Sequence, residues 1–500
     1  VRVALYWPVV LPFLTGVVVL AASRRPGLRY GASLGGAVLH FGCVFAIAME
    51  TAASGIVAEQ AGGWPAPFGI TLVADRLSAA MAAIAGFVGL CVVVYSHADI
   101  SERLQGAGYH AFLHILIGSI CGAFLAGDLF NLYVWFEVML MASFALLVLG
   151  QTRAQLDGGV KYVTINLVAT LLFLSGIGLV YGMTGTLNLA DLHLKAREAA
   201  RPELMMAVSA FFLTAFGIKA AVFPFFFWLP ASYHTPPAAV SAVFSGLLTK
   251  VGVYALIRLY TLVFPSDWIV AHPLLLVLAV LTMVTGVLGA AAQGEVRRIL
   301  SFHIISQVGY MVMGLALFSP LALAGTVFYL LHHIVVKANL FLVGGIMRRA
   351  GGGFDLSALG GLYRHRPGIA LLFFVPAFSL AGFPPLSGFW AKLVLVRASL
   401  DAGHYAVAAA AVAVGFLTLY SMTKIWGEAF WKPAPAGADG RDPAPDGAVS
   451  PWLLVPSAAM GCVTVVLGVA AGPFMDFSMQ AAADLLSPEV YVRAVLGRVP

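Results

Sequence analysis

The sequence predicts an all-α polytopic membrane protein with about fourteen transmembrane helices. Three observations carry that prediction. Of the 500 residues, 61% are hydrophobic and only 10% are charged, against about 25% charged in soluble domains. Apolar runs of the roughly 20 residues needed to span a bilayer recur from end to end, and mean hydropathy is +0.95. Several runs hold a lysine, glutamate or histidine well inside them, and two are interrupted by prolines beside a lysine.

In order, the spans are expected near 4–22, 30–50, 76–97, 110–126, 129–150, 160–183, 206–231, 239–263, 269–291, 299–317, 321–346, 368–396, 404–430 and 451–475. Loops after alternate spans carry Arg24, Arg25 and Arg29, then Arg103, Arg153 and Lys161, then Arg297 and Arg298. Arg348, Arg349, Arg364, Arg366, Lys432 and Arg441 continue the pattern. Positive loops stay in the cytoplasm, so both termini are expected outside a bacterial cell membrane. On the opposite side, Leu187–Glu203 mixes Lys195, Arg197 and Arg201 with Asp191, Glu198 and Glu203, and its leucines fit a short surface helix or a strand. Lys432–Asp446 is a Pro/Gly/Asp linker. The expected organisation is N-terminal helices (1–126), a first half (127–263), a second half (264–430), the linker (431–450), and a last helix with a tail (451–500).

Composition also excludes. A net charge of +6 and a pI near 9.1 do not point to nucleic acid, because the arginines sit in short loops. Cys43, Cys91, Cys121 and Cys462 lie in apolar runs and form no CxxC pair. No metal centre, iron–sulfur cluster, disulfide framework or other cofactor is therefore expected, and the chain should carry no electrons. No cleavable signal stands out at the N-terminus, which begins with Val.

The chain is organised around residues 211–254, where Lys219 and Lys250 lie deep in apolar runs separated by Pro224, Pro230, Pro236 and Pro237. A lysine at the centre of a membrane helix costs about 2.5–3.5 kcal/mol on insertion scales. It persists where it faces protein or a wet cavity, and there it can take up and release a proton. Pro224 denies the helix a hydrogen bond just past Lys219, so a break is expected; broken helices at membrane depth line cavities. The stretch reads as the centre of a proton path. Glu137, about 12 Å into the run LFNLYVWFEVMLMASFALLVLG, is the simplest partner for Lys219. Ser241 and Ser245 are placed to hold water near Lys250. Arg258, nearer the end of the same helix, reads as a snorkelling anchor.

His332, His333 and Lys337 fall within LLHHIVVKANLFLVGGI. His333 and Lys337 share a helix face, which suits a proton relay, while one of the two histidines is expected simply to bond a neighbouring helix. In SLAGFPPLSGFWAK, the residues Gly382, Pro384, Pro385 and Gly388 break a helix ahead of Lys392. Lys424 fits an anchor or a member of the path. His303, Ser306, Gln307 and Tyr310 can line a wet helix face. Asp128 and Asp355 read as capping or surface groups. The order Lys219, Pro224, Thr249–Lys250 has an echo in Gly382–Pro385, Lys392 and Thr423–Lys424, a weak internal repeat.

Together the Glu137 helix, Lys219 before Pro224, Lys250, HHIVVKANLFLVGG with Lys337, and GEVRRILSFHIISQVGYMVMG resemble the antiporter-like subunits shared by respiratory complex I and the Mrp multisubunit Na⁺/H⁺ antiporters. His303 departs from that pattern, which usually has serine there. GDLFNLYVWFEVMLMASFALLVLG and Lys392 are similar to the D-type subunits of the Mrp branch. The resemblance covers nearly the whole chain. It implies fourteen core helices in two inverted five-helix repeats, each with a proline-broken helix. It also implies a non-enzymatic subunit in a complex with other Mrp subunits, exchanging H⁺ for Na⁺ across the bilayer. Glu137–Lys219 would take protons in, Lys250 with His333 and Lys337 would relay them, and Lys392 would release them. The alternatives are a subunit of complex I or a membrane-bound hydrogenase, and a stand-alone transporter with a roomy polar pocket at midplane.

Overall fold

The structure is a computed structural model that describes residues 3–198, 202–264, 271–434 and 449–497. Among these, eleven helices are long and apolar enough to cross a membrane, and Trp7–Ala21, Tyr109–Leu125 and Pro367–Ala381 are shorter apolar helices beside them. The chain is a polytopic, predominantly helical membrane protein. Its inner helices are Ala238–Leu262 and Pro320–Gly351, each with a wholly buried 18-residue window, and Val296–Leu317. Pro26–Ser54, Arg153–Thr184 and Tyr405–Trp431 turn much of their surface outward. Lys250, His303, His332, His333 and Lys337 of the interior row lie on the inner three.

Both expected breaks are present. The run near 206–231 divides into Pro202–Ala220 and Trp228–Ser232, and the run near 368–396 into Pro367–Ala381 and Ser387–Asp401. Ala221 (φ 62°) and Gly382 (φ 93°) turn left-handed directly after the first segments, and Pro224, Pro384 and Pro385 lie in the gaps, where a missing N–H breaks no helical ladder. The two lysines sit on opposite sides of their breaks, Lys219 before and Lys392 after. At the second gap Gly388 passes the Ser379 carbonyl so closely that a methyl group there would overlap it.

Several boundaries differ from expectation for local reasons. Helices begin earlier at Pro26, which suits the first helical turn, and at Arg153, where Thr152 and Gln155 form a capping box. Asp128 caps Leu129–Val148 by accepting the Asn131 N–H at 2.7 Å. The undecided segment after Leu187 is a helix, Leu189–Arg197, capped by Asn188. An antiparallel hairpin, Val57–Gln60 with Thr71–Ala74, precedes the helix Arg76–Asp99 and was not foreseen. The last span ends at Val469, and two further helices follow, Ala471–Leu486 and Pro488–Leu496. Most of the expected linker, including Arg441, and also Arg201, lies outside the described residues.

Two arginines take different places from those expected. Arg29 is buried within Pro26–Ser54 and pairs with Glu102 at 2.6 Å. Arg258 does not snorkel. It is 4% exposed and pairs with the equally buried Asp75 at 2.6 Å, because Arg76–Asp99 starts beside the end of its own helix and delivers that carboxylate to it.

Candidate functional site

Lys219 is buried near the end of its segment, with its ammonium 5.6 Å from the Phe136 ring centre. Trp228 ties the break together by donating to the Ile218 carbonyl at 3.1 Å. The expected Glu137–Lys219 pair is not a direct contact. Thr170, from Arg153–Thr184, stands between them: its hydroxyl donates to Glu137 Oε1 at 2.7 Å and accepts from Lys219 Nζ at 3.5 Å. Glu137 itself is only half-buried.

The Lys250 helix lies against this break because Gly252 leaves room. A Cβ at Gly252 would stand 2.7 Å from the Ala220 nitrogen and 3.0 Å from the Lys219 carbonyl carbon. Overpacking of this kind costs typically ~1–3 kcal/mol, so Gly252→Ala should part the two helices. Transport assayed in vesicles should fall several-fold while the protein still inserts; unchanged transport would show that the approach tolerates slack. Lys250 is fully buried and donates to the backbone carbonyl of Ser245. That carbonyl belongs to the π-helical turn Phe244–Leu248. The serine hydroxyls are turned elsewhere, Ser245 to Ala242 O (3.1 Å) and Ser241 to Tyr233 O (2.8 Å). Thus Ser245 meets Lys250 directly through its backbone carbonyl.

On Pro320–Gly351, His332 Nδ1 lies 2.8 Å from Ser387 Oγ, which meets Ser379 Oγ at 3.0 Å, so this histidine bonds across to the second break. Lys337 donates to the Leu300 carbonyl at 3.0 Å. His333 and His303 are both fully buried, and neither ring nitrogen of either has a protein partner. Buried polar atoms are nearly always bonded, and ordered water is the usual partner when protein supplies none. These four nitrogens, near Lys337, are left for water to satisfy.

Lys392 reaches back to the Leu380 and Ala381 carbonyls at 2.9 and 3.0 Å. These end the preceding helix segment, where carbonyls lack helical partners and the dipole favours a cation. Its ammonium also stands 5.3 Å from the Tyr310 ring centre, and a cavity of about 330 Å³ opens beside it. Tyr310 donates to the Ala411 carbonyl at 2.5 Å and stacks on Tyr329. Ser306 accepts from Gln307 Nε2 at 3.4 Å. Lys424 donates to the Ala291 and Gln293 carbonyls (3.1 and 2.8 Å), which close the helix Ala271–Ala291. It lines a cavity of about 800 Å³ with Glu295, Arg297, Arg298 and His234 at the basic-loop end. There burial, then the Arg298 guanidinium, lowers the His234 imidazole to about 4, and it stays neutral.

Residues 126–418, more than half the chain, match the family described as "NADH:quinone oxidoreductase/Mrp antiporter, TM". The chain belongs to that family. It is 44% identical, over 98% of both chains, to the D-type subunit of the Na⁺/H⁺ antiporter of Alkalihalophilus pseudofirmus OF4. It is similar in fold to a chain of the solved Mrp complex from Dietzia sp. DQ12-45-1b, with TM-score 0.91, 35% identity and 99% of both chains covered. A chain of the membrane-bound sulfane sulfur reductase, an archaeal respiratory membrane complex, gives TM-score 0.90 at 25% identity, covering 98% of this chain and 99% of that one.

The span that matches the Mrp antiporter family holds every titratable residue of the interior row from Glu137 to Lys392, while Lys424 lies just beyond it. Two residues of the row escaped sequence reasoning. Thr170 is one neutral hydroxyl in an apolar helix, with nothing in the pattern to single it out. Tyr329 donates to Gln307 Oε1 and packs its ring against His332 and His333. Its spacing, one turn before the histidines, is the signal that was available.

Proposed function

We propose that this chain is the proton-translocating membrane subunit of a multisubunit monovalent cation (Na⁺)/H⁺ antiporter of the Mrp type. It assembles with other membrane subunits in a bacterial cell membrane, with basic loops in the cytoplasm and both termini outside. It acts as a secondary transporter and does no covalent chemistry. Protons enter at Glu137 and Lys219, pass Lys250 and the group His332, His333 and Lys337, and leave by Lys392. Pro224, Pro384 and Pro385 open the two breaks, and Ser245, His303, Ser306, Tyr310 and Lys424 support the row.

The observation that carries this reading is what holds the inner amines. Lys250, Lys337 and Lys392 each donate to backbone carbonyls, which accept from an amine or an ammonium alike. A proton can therefore leave any of them without breaking an ion pair, whose buried partner would otherwise be left as an uncompensated charge. The 44% identity to an Na⁺/H⁺ antiporter subunit and the likeness to the Mrp complex chain favour antiport over redox-driven pumping.

The test is to isolate the protein from native membranes in mild detergent and identify its companions by mass spectrometry. Small hydrophobic subunits without flavin or iron–sulfur proteins are expected; quinone-site and iron–sulfur subunits would move the chain to a redox-driven pump. In inverted membrane vesicles Lys392→Ala should slow exchange at least about tenfold, ~1.4 kcal/mol on the limiting barrier. An unaffected variant would reduce Lys392 to a helix-end anchor.

A further inference from the structure

A second line of buried polar side chains runs through the N-terminal helices, away from the lysine row. It begins at the surface, where Glu102, its side chain 67% exposed, pairs with Arg29. Arg29 Nη2 also lies 3.3 Å from Gln105 Oε1, and Gln105 Nε2 donates to the Ile100 carbonyl at 2.9 Å. Both ends of the amide are thereby fixed. His110 Nε2 stands 3.4 Å from the same Oε1. On the other face of the ring, His110 Nδ1 is 2.9 Å from Ser33 Oγ, and Ser33 Oγ is 2.9 Å from His114 Nε2. All three residues are buried.

We propose that His110, Ser33 and His114 form a proton-holding relay, separate from the lysine row, beneath the surface where Glu102 pairs with Arg29. Its ligand is a proton. Gln105 Oε1 only accepts, so His110 keeps a hydrogen on Nε2. When His110 is an imidazolium, its Nδ1–H donates to Ser33 Oγ, and the serine O–H donates to His114 Nε2, with the remaining hydrogen of His114 on Nδ1. Transfer breaks the His110 Nδ1–H bond as Ser33 Oγ takes that proton. The original Ser33 O–H bond breaks as its proton forms the Nε2–H bond of His114. His110 is left neutral, His114 becomes the imidazolium, and the serine is unchanged.

The titratable and charged groups around the relay are few and mostly engaged. Pro26–Ser54 contributes Arg29, Tyr30 and His40, the last bonded to the Pro8 carbonyl at 3.0 Å. Arg76–Asp99 contributes His97, stacked 4.3 Å from Tyr30, and Asp99, already engaged by the Ala239 N–H (3.1 Å) and Arg349 (3.8 Å). Tyr109 packs edge-on to His110 at 5.1 Å. Trp7–Ala21 brings no charged side chain, and on Leu129–Val148 the one such group is Glu137, at the first break. The helix that carries both histidines ends at Leu125, and beside that end the Phe124 carbonyl accepts Tyr254 Oη at 2.6 Å, one turn beyond Lys250. A charge held on the relay therefore sits on an element bonded to the Lys250 helix.

The decisive measurement is ¹⁵N NMR of the whole complex labelled at histidine, titrated from pH 5 to 8.5, with His110→Gln and His114→Gln to assign the signals. The relay requires that these two imidazoles titrate in that range. Ser33→Ala should shift their midpoints by about half a pH unit or more, whereas Ser33→Thr, which keeps the hydroxyl, should not. Ser33→Ala and Ser33→Thr are read on the labelled complex even if the histidine variants fail to assemble. Imidazoles that stay neutral throughout, or identical titrations in the two serine variants, overturn the proposal. The second readout rests on the antiport reading: in vesicles, His114→Gln should move the half-maximal pH of exchange by a similar amount with the maximal rate kept. An unmoved midpoint also overturns it. Absence of exchange in the parent would instead sink the antiport reading and leave the NMR result to decide the relay.

Discussion

Glu137→Gln and Lys219→Ala will each abolish cation/proton exchange while the complex assembles at parent levels. The expected loss is at least about a hundredfold, ~2.7 kcal/mol on the limiting barrier. The reasoning is electrostatic. Glu137 and Lys219 share the hydroxyl of Thr170 instead of touching, so their interaction changes with small movements of the Glu137 helix against its neighbours. On the proposed path, movement toward Lys219 would tighten the lysine's hold on its proton, and movement away would release that proton toward Lys250, on the helix that Gly252 packs against the break. Gln keeps the shape and the hydrogen-bonding capacity but not the charge; Ala removes the carrier. Thr170→Val separates geometry from charge: it should slow exchange less than either, since both ionisable groups remain. Exchange is measured in inverted vesicles, and assembly by the amount of intact complex on a native gel. Normal exchange in Glu137→Gln or Lys219→Ala would refute the intake role.

The lysine row was legible because a charge in an apolar run is costly and therefore conspicuous. The two breaks were legible because proline removes a donor wherever it stands. What the sequence hid was tertiary. Thr170 is invisible as one hydroxyl among apolar residues, and Arg258 looked like a helix-end anchor because Asp75 is far away along the chain. Ser33, His110 and His114 carry no joint signal along the chain, because they meet only when Pro26–Ser54 packs on Tyr109–Leu125. Ser245 was expected to act through its hydroxyl, and the π-helical turn that offers its carbonyl to Lys250 has no sequence signature. The hairpin at Val57–Gln60 and Thr71–Ala74 is too short to announce itself by alternation.

Asp75→Asn will destabilise the protein severely, and a second substitution will restore much of the loss. Asp75 and Arg258 have side chains only 3% and 5% exposed and meet at 2.6 Å. The guanidinium also bonds the Tyr254 hydroxyl at 3.2 and 3.3 Å and lies over the rings of Tyr254 and Tyr491 at 5.3 and 5.4 Å. The pair therefore joins the start of Arg76–Asp99, the end of the Lys250 helix and the helix Pro488–Leu496. Arg76 with Asp484 at 2.7 Å ties the same helix start to the neighbouring helix Ala471–Leu486. Removing one partner of a buried pair leaves the other charge stranded, which costs about 3–5 kcal/mol, whereas removing both together costs far less. Asp75→Asn alone should sharply lower the yield and melting temperature of the assembled complex, and Asp75→Asn with Arg258→Gln should recover most of both. Exchange per assembled complex should stay at the parent level in the double variant, because this pair staples helices and passes no protons. A double variant as unstable as the single one would mean that the cost lies in lost packing, not in a stranded charge. A stable double variant with lost exchange would instead bring Arg258 into the transport path.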